Sequence, residues 1–201
     1  MSDLFNSPVL KVEQPRRIPS AKSQYTISDG HGVLLAKASE RSVPLGRQAA
    51  RALFGDGDDR RMVQVENAQG GAPLLVIERP KRTLGTWVSA PNGTLIGSIR
   101  SDGYKWRYVL LDAAERPVGR LEGNKLARKF KVLDGVGGHV AQVDKKWKGA
   151  ATEVLTTADR YAVEFFHPLP DPLRVLVVAA PIALDLMLYE GKDLPDLNPL
   201  T

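Results

Sequence analysis

Apolar and polar residues alternate along most of this chain, in short runs separated by turn residues. Five segments share one plan: a β-rich run, a turn of Asp, Asn, Gly or Pro, then a second run. They are 26–38, 64–78, 86–99, 108–123 and 131–143. Within Trp106–Leu110 and Val140–Asp144 one face is apolar and the other more polar, the period of a half-buried strand. Asn92-Gly93 and the Asp-Gly pairs at 29–30, 102–103 and 134–135 are read as supplying the left-handed positions that tight turns need. With a strand within 8–16 and another within 153–165, the count is about a dozen strands. Residues 44–54 break the pattern. Leu45, Ala49, Ala52 and Leu53 recur at helical spacing and predict a short surface helix, with a GDGDDRR loop after it.

The period changes again near the C-terminal end. Residues 172–189 read PLRVLVVAAPIALDLMLY, apolar on every side of a would-be helix. Such a helix is buried all round or lies in a membrane. A spanning helix needs about 20 mainly apolar residues. Here the uninterrupted apolar run extends only from Val175 to Leu184. At 100° per residue Arg174, Pro181 and Asp185 fall on one line of the helix surface. Pro181 also removes the donor for the carbonyl near Val177, a loss that lipid cannot repair. Length and polarity therefore favour burial within protein. A barrel of twelve strands is too wide for its own side chains to fill, and this helix would plug it. The expected fold is mainly β: a closed antiparallel barrel of roughly twelve strands around a hydrophobic helix at about 172–190. One domain spans 1–201, frayed at 1–7 and 191–201. Arg174 and Asp185, once buried, would need partners on the barrel wall.

Composition narrows the chemistry. The absence of cysteine removes disulfides, thiol catalysis, thiolate zinc sites and palmitoyl anchors. The segment MSDLFNSPVLKVEQ has no basic region before a long apolar core, so no signal peptide is expected. The net charge of +5 is uneven. Eight basic residues face three acidic ones between Arg120 and Lys148, whereas seven acids face three bases from Asp159 onward. Lys125, Arg128, Lys129, Lys131, Lys145, Lys146 and Lys148 are the candidate surface for anionic phospholipid or another polyanion. The alternative is that these charges are simply the solvated faces of two hairpins. Trp147 lies within the KKWK run, and an aromatic beside lysines also suits a membrane interface; barrel-wall packing is the plainer role for Trp147 and Trp106.

No catalytic constellation is found, and an enzyme is not expected. His31, His139 and His167 are not spaced i, i+4 with another ligand. No Gly-x-Ser-x-Gly elbow occurs, and Gly135–Gly138 reads as a turn because no helix or P-loop lysine follows it.

The last third carries a resemblance. The runs GHVAQVDKKWKG at 138–149, TADRYAVEF at 157–165 and APIALDLMLYE at 180–190 resemble the C-terminal end of phospholipid scramblases and LURP-one-related proteins. LFNSPVLKVEQPRR near the start is similar too. The resemblance implies the tubby-like fold, a twelve-stranded barrel around a central C-terminal helix, and basic side chains that hold phosphoinositide headgroups. It departs at the calcium segment of animal scramblases, which opens acidic-Ala-acidic and closes Pro-x-Asp-Leu-Asp. Here Thr157 replaces the first acid, Asp159 remains, and the close reads Phe166-His167-Pro168-Leu169-Pro170. Calcium takes six to eight oxygens, several from carboxylates. Asp159 is thus the one remnant of a metal site, with Glu164 and Asp171 displaced from the pattern, and no cofactor is expected. The proline-rich arm and cysteine-rich segment of those scramblases are not found in this chain, which reads as the bare tubby-like domain. Three function classes stand: a peripheral anionic-lipid-binding protein of the cytoplasm and inner face of the plasma membrane, a true scramblase-like lipid transporter, and a structural or protein-interaction module. No specific nucleic-acid partner and no transmembrane span are expected, and no protein partner is named by the sequence.

Overall fold

The computed structural model describes residues 3–14, 24–41, 61–80, 83–104, 106–146 and 159–189. Twelve strands form one closed antiparallel barrel. They are β1 (Val9–Gln14), β2 (Gln24–Asp29), β3 (Leu34–Arg41), β4 (Arg61–Asn67), β5 (Pro73–Arg79), β6 (Gly85–Ser89), β7 (Leu95–Ser101), β8 (Arg107–Asp112), β9 (Pro117–Gly123), β10 (Lys129–Asp134), β11 (His139–Lys146) and β12 (Asp159–Phe165). Each strand pairs with its neighbours in sequence, and β1 closes the ring on β12, with Leu10 opposite Val163. The predicted surface helix at 44–54 and residues 55–60 of the GDGDDRR loop lie outside the described residues, while Arg61, the last of that run, opens β4.

Alternation sets which residues point inward. Leu10, Val12, Ile27, Val63, Val65, Ile77, Leu110, Leu121, Val132 and Val143 are all buried. Between them, Lys11, Lys37, Lys129 and Lys131 are exposed. This is apolar inside and polar outside, the reverse of the alternation in barrels that cross membranes.

Helix α1 (Leu173–Tyr189) runs through the barrel. Leu176, Val177, Ala180, Ala183, Leu184 and Leu186 are fully enclosed. Two wall strands require glycine, because a Cβ there would meet the backbone of the neighbouring strand and would also crowd the helix. A Cβ on Gly97 would lie 3.3 Å from a Leu176 methyl and 2.2 Å from the Leu111 carbonyl oxygen. One on Gly119 would lie 2.6 Å from the Leu133 carbonyl oxygen and 3.0 Å from a Leu173 methyl. No helix among the described residues is long and apolar enough to cross a membrane.

The helix enters at the mouth that carries the turns between β2 and β3, β4 and β5, β6 and β7, β8 and β9, and β10 and β11. It leaves at the opposite mouth, between the connections of β5 to β6, β7 to β8 and β9 to β10. Residues 3–7, expected to fray, are packed at the entry mouth. Asp3–Phe5 form a short 3-10 turn with Leu4 fully buried, and Ser7 is nearly so. The reason is Arg174, whose Nε donates to the Phe5 carbonyl at 2.9 Å and whose second amino group donates to the Ser7 carbonyl.

Two turn assignments are corrected. Positive φ falls on Gly93 and Gly103 as expected, but on Gly32 and Gly137 rather than Gly30 and Gly135. Asp29 and Asp134 explain the shift. Each carboxylate accepts two backbone N–H bonds, His31 and Val33 at 2.9 and 2.8 Å, Val136 and Gly138 at 3.0 and 2.7 Å. That fixes a five-residue turn whose fourth position is left-handed.

Candidate functional site

The sequence-predicted basic residues divide between two faces. Lys129 and Lys131 on β10 point outward, and Lys125 and Arg128 are exposed in the β9–β10 connection. Asn124 builds that connection: its side-chain oxygen accepts the Arg128 N–H at 2.9 Å, and Ala127 takes a left-handed φ of 50°. Across the outer wall Lys131 lies in register with Glu122 and Gln142, and Lys129 with Asp144. Both acids already have partners, Glu122 from Arg120 Nε at 2.7 Å and Asp144 from Gln142 Nε2 at 2.7 Å. Glu122, Asn124, Lys129, Lys131, Gln142 and Asp144 line a shallow groove of about 490 Å³. The outer face of β9 to β11 is therefore mixed in charge with a basic excess.

Lys145 does not join that face. Ala141 and Val143 point inward with no exposure, and residue 145 shares their parity. Its ammonium stands 5.3 Å from the centre of the buried Tyr161 ring, a cation–π contact at the exit mouth. The backbone of Lys146 lies opposite Arg160 in the last β11–β12 pair. Trp147 and Lys148 lie outside the described residues. The charge runs thus meet across β10 and β11 as a hairpin requires, but Lys145 turns toward the lumen. The signal was present in the Ala141–Val143 alternation.

The exit mouth is polar around the end of α1. Asp185 is fully buried and its Oδ2 accepts the Tyr25 hydroxyl at 2.7 Å; Gln14 lies behind, its Nε2 3.5 Å from the same hydroxyl. Arg79 donates to the Leu186 carbonyl at 2.5 Å, one of the last carbonyls that a helix leaves without an internal partner. Its positive charge also suits the negative end of the helix dipole. Glu40 and Arg61 form a two-pronged ion pair on the same rim, both contacts 3.0 Å. Burial pushes the Tyr108 hydroxyl up to about 12, partly offset by the charge of Arg79. At the other mouth Arg174 stacks its guanidinium 3.4 Å from the centre of the Phe165 ring. Burial draws the pKa of its guanidinium down from the ordinary arginine value, and the charge of Asp171 pushes it back up. The expected partners of both helix charges are present, though those of Arg174 come from the N-terminal segment rather than the wall.

The segment aligned with the calcium motif is split by the fold. Asp159 opens β12 at the exit mouth, and Pro168 and Pro170 follow its other end at the entry mouth. Six strand residues at about 3.3 Å each separate them by roughly 20 Å, beyond the reach of one ion. Among the described residues no group of three His, Asp or Glu side chains could hold a metal.

Residues 20–191 match the Scramblase family. The chain belongs to the Scramblase family. The fold agrees: an X-ray structure of an Arabidopsis thaliana protein superposes with a TM-score of 0.56 over 90% of this chain and 93% of that one, at 16% identity. The closed barrel around a C-terminal helix is the tubby-like architecture that the resemblance implied.

Four residues at the exit mouth were not singled out from sequence: Leu84, Tyr104, Arg107 and Leu126. All are exposed, in or beside the β5–β6, β7–β8 and β9–β10 connections. Their signal is a large apolar residue in a turn within two positions of Lys or Arg.

Proposed function

We propose that this Scramblase-family domain acts as a peripheral binder of anionic phospholipid, held by basic side chains near the exit mouth. The observation that carries the reading is the exposed group Lys125, Arg128, Lys129 and Lys131, four bases beside two acids, Glu122 and Asp144, of which Glu122 is already ion-paired with Arg120. Each basic residue near an anionic surface contributes about 1 kcal/mol. Four of them give reversible attachment that fades over a Debye length of about 8–10 Å. Such a domain would work from the cytoplasm at the inner face of the plasma membrane and needs no bound cofactor.

Lys125→Glu with Lys129→Glu and Lys131→Glu is expected to weaken sedimentation with phosphatidylserine vesicles on the order of a hundredfold. The melting temperature should hold, because exposed charges add little stability. Equal binding by variant and parent, or binding indifferent to salt, would leave these lysines as solubilising charge. Family membership also supports scrambling itself as a second reading. Movement of a labelled lipid between leaflets of protein-containing vesicles is its test, with and without calcium.

A further inference from the structure

Three connections at the exit mouth follow one another around the rim: β5–β6, β7–β8 and β9–β10. Each presents one large apolar side chain to solvent. Leu84 is 71% exposed, Tyr104 54% and Leu126 68%. Nothing in the fold calls for these residue types there, since a turn is served by small or polar residues. Successive strands lie about 4.8 Å apart, so connections on alternate strand gaps stand roughly 10 Å apart and the three tips span about 20 Å of rim.

Basic side chains surround these tips. Arg107 places its guanidinium 5.3 Å from the centre of the Tyr104 ring. Lys125, Arg128 and Lys129 flank Leu126 and are exposed. The nearby acids are Glu78, Asp102, Glu122 and Asp144; Glu122 is bound by Arg120, and Asp144, in register with Lys129, is bound by Gln142. Lys81, Arg82 and Lys105 belong to the same connections in sequence and lie outside the described residues.

The entry mouth also exposes apolar residues, Val33 at 55%, Val136 at 94% and Phe166 at 48%. Its charges lean the other way: Asp29, Asp112, Glu115, Asp134 and Asp171 stand around it, with Arg116 bound to Asp112, Arg100 to Glu115, Lys11 on the Gly30 carbonyl and Arg174 buried beneath. An anionic bilayer would be repelled there and attracted at the exit mouth.

We infer that the exit mouth is a membrane-insertion surface: Leu84, Tyr104 and Leu126 enter the headgroup–acyl boundary of an anionic bilayer while Arg107, Lys125 and Lys129 hold its headgroups. This deepens the proposed lipid binding and rests on it. It adds an orientation, with the barrel standing on the bilayer by the rim where α1 ends. It also adds a component that salt does not screen, since apolar contact is not electrostatic. Tyrosine suits the level of the headgroups, with an apolar ring and a polar tip.

The chain has no cysteine, so a single introduced thiol labels one site. Leu84→Cys, Leu126→Cys and, as the opposite-mouth control, Val136→Cys would each carry an environment-sensitive dye. Vesicles of phosphatidylcholine with phosphatidylserine are then added. The expected result is a blue shift and quenching by lipid-borne quenchers at 84 and 126, and no change at 136. The combined Leu84→Ala, Tyr104→Ala and Leu126→Ala variant is expected to bind about tenfold or more weakly at high salt, since each truncation removes buried apolar area. Its melting temperature should change little, because all three side chains are more than half exposed and only Tyr104 gives up ring contacts, with Arg107 and Trp106. A shift at 136 rather than at 84 and 126 overturns the orientation. Sedimentation of the labelled protein with no shift at any site overturns insertion while leaving headgroup binding intact. Failure of the parent protein to bind these vesicles at all overturns both.

Discussion

At the entry mouth the hairpins 29–33, 90–94, 112–116 and 134–138 turn in the same way. The fourth residue donates to the first carbonyl, the first donates to the fifth, and φ is positive at the fourth. Three of them begin with Asp, whose carboxylate accepts backbone N–H groups of its own turn. At the exit mouth the described connections carry Leu84, Tyr104 and Leu126 outward, and the lumen beneath is rich in phenol and guanidinium groups. One rim is shaped by local backbone demands, and its acids serve the turns. The other sets its exposed apolar side chains among basic ones and arranges charge around a helix end. The first pattern is what folding alone requires; the second is where a binding role finds its material.

The largest expected effect tests what both mouths share, the enclosed helix. Leu176→Asp or Ala183→Asp should abolish folding, because both positions have no exposure. An unpaired buried carboxylate costs several kcal/mol, comparable to the whole stability of a domain. A soluble variant with the parent's circular dichroism and melting curve would refute the enclosed helix.

Next is the entry-mouth clamp. Arg174→Met should lower stability by about 2–4 kcal/mol, since the carbonyls of Phe5 and Ser7 lose their donors. Proteolysis should then release the N-terminal segment first. Protection of residues 3–7 equal to the parent would show that Leu4 alone holds them.

The exit mouth answers to alkali. The Tyr108 hydroxyl titrates near 12 in the folded chain and near 10 when unfolded. Between these values the unfolded chain sheds a proton that the folded chain keeps. The stabilisation is therefore complete below pH 10 and is lost as pH rises toward 12. The loss is on the order of 2–3 kcal/mol. Urea denaturation of Tyr108→Phe across this window should show a shallower decline than the parent; an identical decline would assign the effect elsewhere.

The smallest effect concerns the turns. Asp134→Ala removes two hydrogen bonds at 3.0 and 2.7 Å and should cost about 1 kcal/mol. Glu115 is the non-glycine at the same left-handed position, with φ of 61°. Glu115→Gly relieves that backbone but gives up an exposed ion pair with Arg100. The two should nearly cancel, within about 0.5–1 kcal/mol. A marked destabilisation of Glu115→Gly would show that the ion pair dominates.

Strands, turn sites and the all-round apolar helix were legible in the sequence because each rests on a local period or a local turn chemistry. The parity of β11 was legible too: Ala141 and Val143 fix residue 145 toward the lumen, whatever its charge suggests. The left-handed positions were read two residues early at 29–33 and 134–138, because the side-chain bonds of Asp29 and Asp134 outweigh the simple Asp-Gly rule. By itself, then, the sequence determined the alternating wall, the plug that the wall requires, and the basic and acidic halves of the C-terminal region. Only the tertiary structure decided that Leu10 meets Val163, that Arg174 finds Phe5 and Ser7, that Asp185 finds Tyr25, and that Leu84, Tyr104 and Leu126 share one rim. These partners lie far apart in sequence. No short-range period encodes a contact between them, and only closure of the ring around the helix brings them within reach.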